Sequence, residues 1–424
     1  MLGDRIQSFL HTSAKKAARK APLGNPLEPL EPLLPAALNQ LTAKIIQLPP
    51  PQPCQNAVKA ELTRALKNWQ ADPELANNSL VVLGRPVEDV VRILRASLQE
   101  FSTPAIEAPD ATAATTAVNI QFLLGGYQRP LDPLEIAQHI RREIAQKGSD
   151  TLPKPAEEAA DSLSTRKPTV VVVPSLENCF LRCIQGWEGI EYLQNLTTRD
   201  TSRFWVFGCN HWAWTFLDRV CQISAYLEQP LHLPELSGED LKAWLQPILE
   251  SPLTLDHPFQ EHPFQERPFH IEPSGDSYWS ALSNAASGIG ATAATLWLNS
   301  LRIRVDKSAT LTVEKSPATA PLPAQTVPAQ TVPLLPIKPT LPTLMSLDVM
   351  DRYILHTLLI HREMTRSHLA LSLGEAERKI RSRLQVLRRE GILLQRGRRL
   401  SIHPAHYPKL YSELKNNNFL IGEA

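Results

Sequence analysis

The chain has 424 residues, 43% of them hydrophobic, and a formal net charge of +1, so it has room for two or three domains and no bulk charge that selects an acidic or basic partner. No apolar run approaches the roughly 20 residues that cross a bilayer. The five cysteines (Cys54, Cys179, Cys183, Cys209, Cys221) form no even framework, which excludes a disulfide scaffold and predicts a reducing, cytoplasmic setting.

Charge and proline are unevenly placed. From Leu347 to Ala424 there are 14 Lys and Arg against 8 Asp and Glu, a net +6, which leaves the rest near −5. The 37 prolines gather in particular stretches, where they break helices and mark connectors.

In chain order, the opening MLGDRIQSFLHTSAKKAARKA sets Ile6, Phe9 and Leu10 on one helical face beside Lys15, Lys16, Arg19 and Lys20. Such a segment either touches a membrane surface or a partner, or is a frayed terminus. With the Pro/Leu-rich stretch that follows, broken by a short helix near 36–48, it makes residues 1–56 a Pro-rich, partly disordered N-terminal segment.

Residues 57–252 alternate amphipathic helices with apolar strands. A helix carries Val58, Leu62, Leu66 and Trp69 on one side. After it come a strand at 79–84, a helix over 87–101, a strand at 117–124 and a helix over 132–147. Beyond an acidic loop lie TVVVV (169–173), a helix near 186–197, FWVFG (204–208), a helix near 213–227, LHLP (231–234) and the helical SGEDLKAWLQPIL. Continuous apolar strands between helices predict a mostly parallel α/β sheet covered on both faces.

The repeat HPFQEHPFQERPF places Phe259, Phe264 and Phe269 five residues apart, each after a proline, so a loop precedes a small-residue helical lid at 277–303; together they form a unit over 253–305. Residues 306–346, with the duplicated PAQTVPAQTVP, read as a Pro-rich linker. The last unit, 347–424, runs helix, helix-turn-helix with Gly374 at the turn, then LLQRGRRLSIHP as a two-stranded wing, the order of a winged-helix domain.

The stretch SLVVLGRPVEDVV (79–91) has the outline of a phosphate-binding loop, whose pattern is G-x-x-x-x-G-K-[ST]. Aligned on Gly84, it puts Asp89, Val90 and Val91 where Gly, Lys and Ser or Thr belong. Pro86 removes an N–H donor, and Glu88 and Asp89 put negative charge where a helix dipole would draw phosphate. After the next acidic-type strand stand Pro174, Ser175 and Glu177 in place of the metal-binding Asp, and after FWVFG a polar Asn210 survives.

With the segment Leu231-His232-Leu233-Pro234-Glu235-Leu236, a helical lid and a winged helix following in order, the chain resembles degenerate P-loop ATPases of the AAA+/STAND kind over 57–305 and 347–424, and its LG-x-PVE loop is similar to that of bacterial relatives. The resemblance implies a P-loop-NTPase-like sheet, a nucleotide-driven switch and possible oligomers. The residues at 84–91 and 174–175 argue against the chemistry, so the site Gly84, Asp89, Val90, Val91, Pro174, Ser175, Glu177 and Asn210 is expected to be degenerate, with no catalytic residue and no cofactor; ATP and Mg²⁺ enter under the alternative that nucleotide still binds.

Other groupings are weaker. Cys179, Cys183, Cys209, Cys221 and His211 lack zinc-ligand spacing, and Cys209 with His211 lacks an orienting acid. Trp205, Trp212, Trp214 and Phe216 read as core or interface, and Arg199 and Arg203 as solvated loop rather than an arginine finger. In the winged helix, at about 100° per residue, Ile380, Leu384 and Leu387 share a face, while Arg378, Lys379, Arg381, Arg388 and Arg389 lie opposite and Arg396, Arg398 and Arg399 charge the wing. These eight are the candidate polyanion-binding residues. The leading expectation is a non-catalytic ATPase-like scaffold whose winged helix binds a protein partner or DNA. The alternatives are an ATP-binding regulatory ATPase with an atypical site, and a winged-helix DNA-binding regulator whose body oligomerises.

Overall fold

The computed structural model describes residues 30–73, 76–102, 118–124, 129–148, 168–227, 229–251, 269–304 and 332–420. The N-terminal helix face around Ile6 and the repeat phenylalanines Phe259 and Phe264 lie outside them. After a short strand β1 (Leu30–Pro32) come helices α1 (Pro35–Gln47) and α2 (Gln52–Ala71). Both begin with a proline in the first turn, where its missing N–H costs no helical bond.

Next come β2 (Ser79–Gly84), α3 (Val90–Ser102), β3 (Asn119–Phe122), α4 (Pro133–Gly148), β4 (Thr169–Val173), α5 (Glu188–Arg199), β5 (Phe204–Asn210), α6 (His211–Cys221), β6 (Leu231–His232) and α7 (Gly238–Leu249). The strands pair all in parallel in the order β3-β4-β5-β2-β6. The α/β class read from the sequence, a parallel sheet flanked by helices, is the fold observed.

Period-two alternation decides which helix meets which face. Leu80, Val82, Val170, Val172, Phe204 and Val206 pack with α2, α3 and α7. Val81, Leu83, Val171, Val173 and Phe207 point the other way, against Ile136 and Ile140 of α4, Ile190 and Leu193 of α5 and Trp212 of α6.

The rest comprises β7 (Phe269–Ile271), α8 (Asp276–Ala286), α9 (Gly290–Ser300), β8 (Leu301–Arg304) and β9 (Val332–Pro336). A winged-helix order follows: α10 (Val349–His361), β10 (Glu363–Thr365), α11 (Arg366–Leu373), α12 (Glu377–Arg389), β11 (Leu393–Arg396), β12 (Arg399–Ile402), then α13 (Tyr407–Asn416). β10, β12 and β11 form an antiparallel sheet. Gly374 ends α11 at φ 65°, where a Cβ is unwelcome.

The structure corrects the sequence reading in three places. The lid is not one helix: Ser287 and Gly288, both at positive φ, break it into α8 and α9, and its end is strand. The described residues also include a four-stranded sheet, β1-β8-β9-β7, read from no sequence pattern because its strands come from distant segments and two of them, β1 and β9, carry prolines.

The third difference falls in the stretch read as a linker over 306–346, of which 306–331 lies outside the described residues and 332–346 holds a strand. β9 alternates the buried Val332 and Leu334 with prolines and lies between β8 and β7, and Leu344, Met345 and the buried Leu347 pack on the core beyond it. Nor does the winged helix form its own core. Leu355, Leu359, Leu384 and Leu410 share a hydrophobic cluster with Val171, Phe207 and Trp212 of the α/β body.

Candidate functional site

At the C-terminal edge of the parallel sheet, where open α/β folds place ligands, Gly84 ends β2 in register with Asn210 of β5. A Cβ on Gly84 would stand 2.5 Å from Val90 Cγ2 and 3.2 Å from Glu88 Oε2. Glycine is therefore required by the chain's own side chains. Glu88 is 6% exposed, and its Oε2 accepts the Arg85 backbone N–H at 2.6 Å. Burial pushes its carboxyl above the usual range, opposed by the Arg85 N–H and by the charges of Arg85 and Arg362. Val90, at the lysine position, is a buried core residue. Arg85 itself pairs with Glu235 of the segment after β6.

Beside this loop the surviving polar residues form a closed network. Asn210 Nδ2 donates to Glu177 Oε1 at 2.9 Å and to the Ile360 carbonyl at 3.0 Å. Its Oδ1 accepts the Ala213 N–H at 2.9 Å, capping α6. Ser175 Oγ donates to Glu177 Oε2 at 2.8 Å. Asn210 thus holds protein rather than ligand: its partner is the end of α10.

The next residue of α10, His361, is fully buried. Its Nε2 accepts the Arg182 N–H at 3.1 Å, and its Nδ1 stands 3.4 Å from both the Glu177 carbonyl and Arg129 Nη2. That pattern fits the neutral imidazole with its proton on Nδ1. Burial, then Arg129, holds its pKa well below the ordinary value. Arg362 then turns at φ 63°, ψ −53°, a strained backbone for a residue with a Cβ, and its Nη2 meets Asp89 Oδ1 at 3.1 Å. A cleft of about 470 Å³ remains beside this junction, lined by Val91, Pro174 and Ser175 of the body and by Arg362, Arg396 and Arg399.

The residues that the sequence offered as a site therefore converge, all at one sheet edge, and the C-terminal unit closes over them. Sequence reasoning missed Arg129, Arg182, His361 and Arg362. None sits in a local motif, and their roles arise only when α10 docks.

The eight basic residues of the winged helix divide. Arg399 pairs with Glu363, and Lys379 with Glu375 at 2.5 Å. Arg396 and Arg399 line the cleft toward the body. Arg378 and Arg389 are exposed on α12. Arg381, Arg388 and Arg398 line a second cleft of about 530 Å³ between α11, α12 and the hairpin, together with Arg366, Thr365, Ser367, Gln385 and Gln395. Its one acid, Glu377, accepts from Ser367 Oγ at 3.4 Å. Arg366 was not singled out in the sequence, because only the folded start of α11 brings it beside α12. As read, Ile380, Leu384 and Leu387 are the buried face of α12.

Trp205, Trp212 and Trp214 are buried, and Trp212 Nε1 donates to Tyr407 Oη at 3.2 Å, placing it at the junction with the C-terminal unit. Arg203 pairs with Asp200 at 3.3 Å ahead of β5, on the opposite sheet edge. Burial raises the Cys54 thiol to about 12 and the Cys221 thiol to about 11, so both remain protonated at neutral pH. No helix among the described residues is long and apolar enough to cross a membrane.

No protein-family model matches the chain, and no curated protein does. Among solved structures it is similar to the ORC2 protein of Aeropyrum pernix (ADPNP–ADP complexes), at 11% identity and a TM-score of 0.37 over 87% of this chain and 95% of that one. It is also similar to the A. pernix ORC1 protein in complex with DNA, at 11% identity and 0.36 over 85% and 94%. A RuvB variant of Thermotoga maritima gives 16% identity and 0.31 over 85% and 94%. At those identities and scores the likeness carries no residue role or activity across.

Proposed function

We propose that this chain is a non-catalytic, AAA+/STAND-like adaptor whose winged-helix unit grips the phosphate backbone of duplex DNA. The observation that carries the reading is the cleft formed by Arg366, Arg381, Arg388 and Arg398. Its four guanidinium groups, against one glutamate, line one concavity, and among the described residues none of the four has an ion pair. Unpaired arginines in one concave array suit phosphates spaced along a backbone, and phosphate contact gives affinity without reading sequence. The Val90 and Val91 found where a P-loop has Lys and Ser or Thr, with the Ile360 carbonyl and Arg362 bonded to Asn210 and Asp89, support the non-catalytic part.

Anisotropy of a labelled duplex against protein, repeated across salt concentrations, tests the reading. Binding should weaken with salt, and replacing Arg366, Arg388 and Arg398 by Ala should lower the log–log salt slope by about 0.9 for each phosphate no longer neutralised. No retention of duplex at low salt, or retention indifferent to the three substitutions, overturns it in favour of a protein partner. Heat from ATP with Mg²⁺ in a calorimeter would overturn the non-catalytic half and favour the ATP-binding alternative.

A further inference from the structure

We propose that the cleft between the start of α10 and the end of α11 docks an acidic, apolar peptide segment of a partner protein. An Asp or Glu of that segment meets Arg182, and its apolar side chains meet Val349 and Tyr353. Such docking rests on the adaptor half of the proposed function. It lies at the other end of α11 from Arg366, so duplex binding can fail without it.

Contiguous exposed apolar patches mark interaction sites. Val349 and Tyr353 stand one turn apart on α10, on one face of the helix, and are 64% and 42% exposed. With Met350, Leu373, Glu375 and Arg182 they line a cleft of about 290 Å³. Two more exposed apolar residues flank it along the chain: Leu371, just before Leu373, and Ile184, just after Arg182 and 85% exposed. Ile184 is held out by a tight turn, in which the Gly186 N–H donates to the Cys183 carbonyl at 3.1 Å and Gln185 takes φ 63°. A fixed turn presents its side chain without the ordering cost of a mobile loop.

The charge in the cleft selects the occupant. Arg182 belongs to the closed network at the sheet edge through its backbone N–H, but its side chain reaches outward. Nη1 donates to Thr357 Oγ1 at 3.1 Å, and among the described residues no carboxylate pairs with the guanidinium. Burial lowers its pKa, with Tyr353 opposing. The acid in the lining, Glu375, is committed to Lys379 at 2.5 Å. A half-buried cation with unused donors suits a carboxylate that brings apolar neighbours of its own. A nucleic-acid backbone, charged at every unit, would instead set anions against Val349, Met350 and Leu373. The volume falls at the foot of the roughly 300–1,000 Å³ used by small-ligand sites, room for an anchoring side chain or two. Tyr, Met and Arg are also the residue types enriched where proteins meet.

The test uses the full chain and a random peptide library displayed on phage. Counter-selection against Arg182→Gln removes peptides held by the winged-helix arginines. Enriched peptides should carry Asp or Glu next to Leu, Ile or Phe. One of them, synthesised with a fluorescent label, should lose at least about tenfold in affinity with Arg182→Gln. Replacing its acid by the amide should weaken binding to the unsubstituted chain and make little further difference to Arg182→Gln, as a cycle between contacting groups requires. Val349→Asp sits at an exposed first-turn position where an acid favours the helix, so the fold should survive. Its like charge at the mouth of the cleft should abolish binding, and it decides the matter if Arg182→Gln does not fold. Both variants should match the unsubstituted chain in duplex retention, so a failure of the duplex-binding reading shows separately.

No enrichment, enriched peptides without an acid, or affinity indifferent to both substitutions would overturn the proposal. So would self-association abolished by Val349→Asp, which would make a second copy the occupant. Binding to phosphatidylserine vesicles that Ile184→Ser abolishes would overturn it too, in favour of a membrane surface.

Discussion

Two polar regions of the molecule sit within one hydrophobic cluster's reach of each other and behave oppositely. At the sheet edge, Asn210, Glu177, Ser175, Arg182 and His361 direct their hydrogen bonds to one another, to the Thr357 hydroxyl and to backbone groups of the chain. In the cleft between α11, α12 and the hairpin, four arginines face solvent. A buried polar group without a partner costs about 1–3 kcal/mol, so the first region is internally satisfied and binds the fold together. An exposed guanidinium is solvated at little cost, so the second can wait for an anion. A site is better recognised by polar groups left unpaired where solvent reaches them than by polar groups that match a motif.

Acid should separate the two regions most strongly. Burial holds His361 well below its ordinary pKa, and lowers His356 to about 4 and His368 as well. His361 is faced by Arg129, Arg182 and His368, all of which oppose its protonation. A histidine kept neutral in the fold takes up a proton when unfolded, so its contribution is complete above about pH 6.5 and is lost as pH falls. The slope is about 1.4 kcal/mol per pH unit for each such group. Glu88, raised above its usual value, acts in the opposite sense and favours the fold at low pH. Denaturant midpoints between pH 7 and 5 should fall by several kcal/mol equivalents, while the arginines keep their charge. A flat profile would mean that the imidazoles are not buried as described.

A smaller effect, confined to the closed region, is expected from Asn210→Ala. It strands Glu177 Oε1 and the Ile360 carbonyl and removes the α6 cap, at a cost of about 3 kcal/mol. Chemical denaturation measures it, and a loss below about 1 kcal/mol would show that water replaces the amide.

Arg362→Gly should move stability least, by under about 1 kcal/mol. The lost ion pair with Asp89 is partly solvated, and glycine relieves the positive φ. A large loss would raise that pair above an ordinary surface contact.

What the sequence disclosed follows from how local each signal is. The strands Ser79–Gly84, Thr169–Val173 and Phe204–Asn210 were legible because strands buried on both faces are continuously apolar. The buried face of α12 and the turn at Gly374 were legible for the same reason, as each is set within a few residues. β9 was not, since Pro333 and Pro336 suggest a connector and only pairing with β7 and β8 makes it a strand.

Of the candidate site, Gly84, Asp89, Glu177 and Asn210 were found by position, but their occupant was not. Ile360, His361 and Arg362 reach them across some 150 residues or more of chain. Arg366 was missed because its neighbours in the cleft come from α12 and the hairpin, not from its own helix.

The cluster that runs from Val171 and Phe207 into Leu355 and Leu384 bears on how the molecule can be divided. With β9 and Leu347 anchored on the way to α10, the C-terminal unit is not a bead on a string, and its melting should coincide with that of the α/β body in one cooperative transition. Residues 347–424 expressed apart would carry a raw apolar flank formed by Leu355, Leu359 and Ile360. Its stickiness would then reflect the severed half of a core rather than an affinity for any partner.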